Sequence, residues 1–194
     1  MPPANATYHH GDLRAACLSA ALELLEEGGA TALSLRAVAR RAGVSPAAPY
    51  RHYADREALV SAVAAVGYRE LAERLAAAHP APSNPEQLAS VGVAYVEYAL
   101  ERPALFRMMF GEPCDRDNDE RVAATAAVSL YLREIVARCF PQSDAEALAP
   151  AIWALVHGLA FLHLDGKLDA ATPSAVADRV TAAIHGLLSA TARG

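Results

Sequence analysis

Between Ser34 and Arg56 the sequence reads SLRAVARRAGVSPAAPYRHYADR. This stretch carries Arg36, Arg40, Arg41, Arg51 and Arg56 against one acid, Asp55, with Tyr50 and His52 among them. Permanently charged guanidiniums beside a phenol and an imidazole suit phosphate oxygens and the edges of bases. Inside a protein core such a cluster would be costly, whereas beside a polyanion it releases counterions. The net charge of the 194-residue chain, −5 at pH 7, argues the other way if taken alone. Its distribution reverses the argument. Residues 61–194 hold eleven basic and sixteen acidic side chains, so a basic N-terminal segment sits on an acidic body.

Two helical segments must position these side chains. The first runs from Ser34, an N-cap, to Ala42, with Leu35, Val38, Ala39 and Ala42 facing inward. Gly43 ends it, and Val44 plugs the angle to the next. A second helix is expected after Ser45 with Pro46 at its first position, where a missing N–H costs little. Together they read as a helix-turn-helix, whose exposed second helix enters a major groove about 12 Å wide. Pro49 sits awkwardly at the fourth helical position of this second helix. It deletes the first backbone hydrogen bond and biases Ala48 away from the α region, which predicts a tight or irregular first turn. On this reading Pro49→Ala leaves stability unchanged or raises it slightly.

The stretch LSLRAVARRAGVSPAAPYRHYADREAL (33–59) resembles the DNA-binding region of the TetR/AcrR family of transcriptional regulators. The likeness covers the helix-turn-helix, the Tyr50-Arg51-His52-Tyr53 run and the basic Arg56, where arginine replaces the more usual lysine. The lead-in YHHGDLRAACLSAALELLEEGG and the segment WALVHG (153–158) are similar to one branch of that family, the second to its Trp-His-Gly C-terminal type. Pro49 is the main departure. Residue chemistry and resemblance together assign Ser34, Ser45, Tyr50, His52 and Arg56 to phosphates, Ser34 and Ser45 also as starts of helices. Arg36 and Arg51 are placed on phosphates or base edges, and Ala47 and Ala48 at the groove floor against thymine methyls. Tyr53 reads as core.

The rest of the chain is expected to be all-α, nine helices in total: a three-helix DNA-binding unit (1–54) and a helical body (55–194). The first helix spans about 12–27 and is stopped by Gly28-Gly29; the long fourth is capped by Asp55 and runs to about Ala78. HPAPSNP (79–85) is a break, and Asn84 with Pro85 opens the fifth. Ser143-Asp144-Ala145-Glu146 reads as a capping box, with Pro150 near a helix start or at a kink. The resemblance implies a ligand-responsive dimerisation role for the body. Tyr95, Phe106, Met109, Phe110, Trp153 and His157 are the side chains suited to an apolar or amphipathic small molecule, although for any one of them ordinary packing is the stronger reading. The last two helices are apolar on more than one face and call for a second copy of the chain. The implied partners are a palindromic double-stranded operator, that effector and a homodimeric mate.

Other classes fit poorly. No nucleophile–base arrangement, glycine-rich phosphate loop or histidine pair of metal spacing occurs, so neither an enzyme nor a cofactor is expected. DRDND (115–119) starts like a calcium loop but is followed by Glu120 in place of glycine. The three cysteines have no metal spacing, and no apolar run approaches the ~20 residues of a membrane span, which points to a cytoplasmic protein. A helical protein-interaction module remains the other non-enzymatic reading.

Overall fold

The computed structural model describes residues 13–111 and 118–191. Cys114, His9-His10 and the start of the DRDND segment lie outside them. Among the described residues there are eight α-helices and no strand: α1 (Leu13–Gly28), α2 (Leu35–Arg41), α3 (Arg56–Ala78), α4 (Pro85–Glu101), α5 (Pro103–Gly111), α6 (Asp119–Cys139), α7 (Ala145–Leu164) and α8 (Pro173–Thr191).

Side-chain caps set most of the boundaries. Ser34, Asp55, Asn84 and Asn118 each accept a hydrogen bond from the third residue of the helix they open. At α7 the cap is Asp144, which accepts from Glu146 N–H and Ala147 N–H, and not Ser143 of the expected capping box. Either side chain can cap; the residue with extended backbone immediately before the helix takes the role. Pro150 lies inside α7 on its exposed side, where the absent N–H leaves one carbonyl to solvent.

The expected third helix is the main correction. Residues 46–48 form turns, and Pro49–Arg51 is a single 3₁₀ turn. Ala48 N–H bonds to Ser45 O at 2.9 Å, Arg51 N–H to Ala48 O at 3.2 Å, and His52 N–H to Pro49 O at 3.0 Å. An α-helix would send the N–H of residue 49 to Ser45 O, and proline has none, so the chain closes the tighter ring. Ala48 nevertheless stays helical, at φ −63° and ψ −46°, because turn bonds on both sides hold it there. No α-helix begins at Ser45, so this residue opens no anion-binding helix terminus.

α3 and α4 are the axis of the molecule. α3 packs on α1, α4, α5 and α6, and α4 on α5, α6, α7 and α8. One hydrophobic core runs from Cys17 of α1 to Ile184 of α8, passing along α3 through Leu59, Val63, Leu71 and Leu75. Gly92 lets α4 and α8 approach: a Cβ there would lie 2.5 Å from Ile184 Cδ1. α7 corrects another expectation. It is long and apolar enough to cross a membrane by length and composition, yet only a third of that window is buried. Ile152, Val156, Leu159 and Ala160 face the core, while Leu162 is 43% exposed.

Candidate nucleic-acid interface and effector site

The turn between α2 and the 3₁₀ segment is built as its sequence demands. Gly43 adopts φ +67°, which favours glycine. Gly43 N–H bonds to Arg40 O and Val44 N–H to Ala39 O, so the last carbonyls of α2 are satisfied. Leu35, Val38 and Ala39 are buried beneath. Pro49 is buried as well, while Tyr50 is 52% exposed and Arg51 and His52 are exposed. Tyr53 is core, its hydroxyl donating to Arg14 O at 3.4 Å.

The five arginines divide into three groups. Arg41 folds back onto Glu23 (3.2 Å) and Glu27, and its guanidinium holds the Glu27 carboxyl below the usual range. Arg56 donates to Leu33 O (3.2 Å) and Ala30 O (2.9 Å), bracing the connection from α1 to α2 while keeping further N–H groups for a partner. Arg36, Arg40 and Arg51 are exposed and form no hydrogen bond or ion pair with any described residue. Ser34, Ser45 and Ala47 are exposed near them, and Ala48 is half-buried. The sequence placed Arg40 in this basic stretch without assigning it a contact; the structure leaves its charge as unopposed as those of Arg36 and Arg51.

Burial of the Pro49 ring changes the outlook for Pro49→Ala. The substitution removes buried methylenes and loosens the unfolded chain, against one regained hydrogen bond. We expect a loss of about 1 kcal/mol in chemical denaturation, where the sequence suggested little change.

In the body, the aromatic residues form one packed cluster. The Phe106 ring lies 5.6 Å from Tyr95, 4.8 Å from Phe110, 5.8 Å from His157 and 5.6 Å from Phe161, centroid to centroid. His157 meets Phe110 edge to face at 4.6 Å, and Phe110 reaches Trp153 at 6.3 Å. Met109 lies against Gly67 and takes a contact from Tyr98 Oη at 3.9 Å. Trp153 Nε1–H donates to Tyr95 Oη at 3.1 Å, which leaves the Tyr95 hydroxyl proton for His157 Nδ1 at 2.9 Å. Burial pushes the Tyr95 phenol far above its ordinary range.

Beside this cluster is a cavity of about 30 Å³ between α3, α4, α6 and α7. Of the six side chains singled out in the sequence, Tyr95 and Trp153 line it; Phe106, Met109, Phe110 and His157 do not. Its other walls include Leu75, Gly92, Val128, Tyr131, Leu132 and Ile152, none of which the sequence had marked for a ligand. Their helical spacing was visible, but spacing cannot say which apolar face leaves a gap.

Burial lowers the His157 pKa below 6.5; burial and then the Arg179 charge do the same to His163. The folded state thus disfavours both imidazoliums, and the unfolded chain takes up protons first. Stability is full above 6.5 and falls as the pH drops through it. Thermal midpoints measured from about pH 7.5 to about pH 5 should decline, and less steeply in His157→Gln.

Two polar junctions tie α1 to the body. Glu120, in the first turn of α6, pairs with Arg14 of α1 and with Arg69 of α3 at 2.7 Å. Burial opposes its charge, but hydrogen bonds from Arg69 and Arg14 prevail and hold its carboxyl below the usual range. Arg102 pairs with Glu26 of α1 at 2.8 Å and Glu70 of α3 at 3.1 Å.

A capped helix and a tight turn at Gly43, carrying arginines with no partner among the described residues and joined through a long helix to an all-α body, are the features of a DNA-binding regulator. Residues 18–63 match the family described as "Bacterial regulatory proteins, tetR family", and residues 88–187, over half of the chain, match "Tetracyclin repressor-like, C-terminal domain". The chain belongs to the TetR family of transcriptional regulators. It is 28% identical over 153 residues, 75% of each chain, to the HTH-type transcriptional regulator BetI of Rhizobium meliloti (strain 1021). A protein of unknown function from Rhodococcus sp. RHA1 superposes with a TM-score of 0.80 at 34% identity, covering 94% of this chain and 98% of that one. The TetR-family regulator PfmR of Thermus thermophilus shares the fold, at a TM-score of 0.64 and 20% identity over 87% and 97% of the two chains.

Proposed function

We propose that the protein is a repressor that binds a palindromic operator as a homodimer and is released by a small apolar or amphipathic effector. Residues 1–54 serve as the DNA-binding unit and 55–194 as the effector-binding and dimerisation body. The observation that carries the DNA-binding part is the contrast among the arginines. Arg41 is neutralised by acids of its own unit, whereas Arg36, Arg40 and Arg51 are exposed, as are Tyr50 and His52, and have no partner among the described residues. Arg36 and Arg51 reach phosphates or base edges; Ser34, Ser45, Tyr50, His52 and the remaining N–H groups of Arg56 fix the register on the backbone; Ala47 and Ala48 sit against the groove floor.

Dimerisation through α7 and α8 is supported by their outward faces. Leu162 is exposed, Leu155, Leu187 and Leu188 are half-buried, and Gly158 and Gly186 have open space where a Cβ would stand, so a second copy can approach closely. Two copies place their DNA-binding units on successive turns, about 34 Å apart. Release is supported by the Glu120 and Arg102 junctions, which join α1 to helices of the effector-binding body. Effector and operator must then oppose each other reciprocally. The test is selection of bound duplexes from a random pool at several salt concentrations. An enriched palindrome with salt-dependent affinity is expected; no sequence bound better than bulk duplex would sink the proposal.

A further inference from the structure

The cavity beside Trp153 has room for about one water but nothing to hold it there. Each side-chain donor on its wall is already engaged. The Tyr95 hydroxyl is taken by Trp153 Nε1 and His157 Nδ1, and the Tyr131 hydroxyl lies 3.3 Å from Leu75 O and 3.2 Å from His79 O. A ligand acceptor would find no free side-chain donor at this depth and would have to break one of those bonds. A dry apolar void gains instead from being filled by hydrocarbon.

From this we infer that the part of the effector that enters the body is an unsubstituted alkyl chain, seated between α4, α6 and α7 with its polar end left toward solvent. The inference rests on the effector-binding role proposed above and narrows it to one chemical class. Size favours a chain over a ring. The void starts at about 30 Å³, and a row of methylenes can lengthen it by displacing a few side chains, whereas a bulky ring must part four helices together. Tyr131, Leu132 and Trp153 are the half-buried wall residues, so the entrance lies between α6 and α7.

Trp153 is the sole tryptophan of the chain, which makes its emission a direct reporter. The full chain would be titrated with straight-chain alkanols from butanol to decanol, and with the α,ω-diols of matching length. Saturable changes in emission are expected, with affinity rising at each added methylene by at most about fourfold, the factor that ~0.8 kcal/mol represents, because displaced side chains offset part of the gain. The diols should bind at least tenfold more weakly. Val128→Phe, which fills the void, should weaken decanol at least tenfold with helical content unchanged; if that variant does not fold, Leu132→Phe at the rim gives the same reading. Diols binding as tightly as alkanols, no dependence on chain length, or no saturable change would overturn the inference. Duplex selection without alkanol separates the two proposals. Operator binding without alkanol binding removes only the ligand class, and alkanol binding without operator binding removes only the repressor.

Discussion

Truncating Phe106 to alanine should lower the unfolding free energy by about 3–5 kcal/mol. The ring is completely buried on α5 and touches aromatic neighbours on α4, α5 and α7, so its loss opens a hole that several helices would have to close together. Domains of this kind hold only ~5–15 kcal/mol in all, and a loss of that size removes a large share of it. The measurement is chemical denaturation followed by helical circular dichroism. Phe106→Leu should retain most of the stability, and Leu130→Ala, at a 54% exposed position on α6, should stay within ~0.5 kcal/mol. The result decides a question that the sequence left open. If the cluster is packed core, alanine is costly. If these rings stand apart around an open pocket in solution, Phe106→Ala costs less than ~1 kcal/mol, and the packed arrangement is wrong.

Arg36→Ala and Arg51→Ala should each weaken operator binding by about 1–3 kcal/mol, roughly five- to 150-fold, without lowering the unfolding midpoint. Neither guanidinium has an intramolecular partner among the described residues, so its removal leaves no buried group unpaired. The salt dependence separates their roles. Losing a phosphate contact lowers the slope of log affinity against log salt by about 1 per site and weakens all sequences alike, whereas losing a base contact relaxes the sequence preference at one position. Arg41→Ala is the internal comparison. Its charge is held by Glu23 and Glu27, so its effect on binding should be smaller than either. Arg56→Ala is a poorer probe, because the same side chain braces Ala30 and Leu33. Equal losses at Arg36, Arg41 and Arg51 would mean that only bulk charge matters, and would sink the contrast on which the interface was drawn.

Much of this fold was legible residue by residue. Ser34, Asp55 and Asn84 cap the helices they were expected to cap, Gly43 takes its positive φ, and α3 runs unbroken to Ala78. Caps and stops are local chemistry, decided within a turn of chain. Legibility fails where two local choices compete. Ser143 and Asp144 both offer a capping oxygen, and the path of the backbone selects Asp144. It fails again at Pro49, where the missing hydrogen bond was foreseen but the burial of the ring was not.

What the sequence determined by itself was the helical class, the place of α2 with its Gly43 turn and the basic character of that segment, because these rest on periodicity, on glycine and proline, and on charge. Tertiary structure decided which arginines lack a partner among the described residues, which carboxylates hold the others, and that a void lies beside Tyr95 and Trp153. The reason is one of range. A cap or a turn joins atoms a few residues apart, but Arg14 meets Glu120 and Tyr95 meets Trp153 only after helices distant in the chain have packed, and how closely they can pack is set by the shapes on both faces at once.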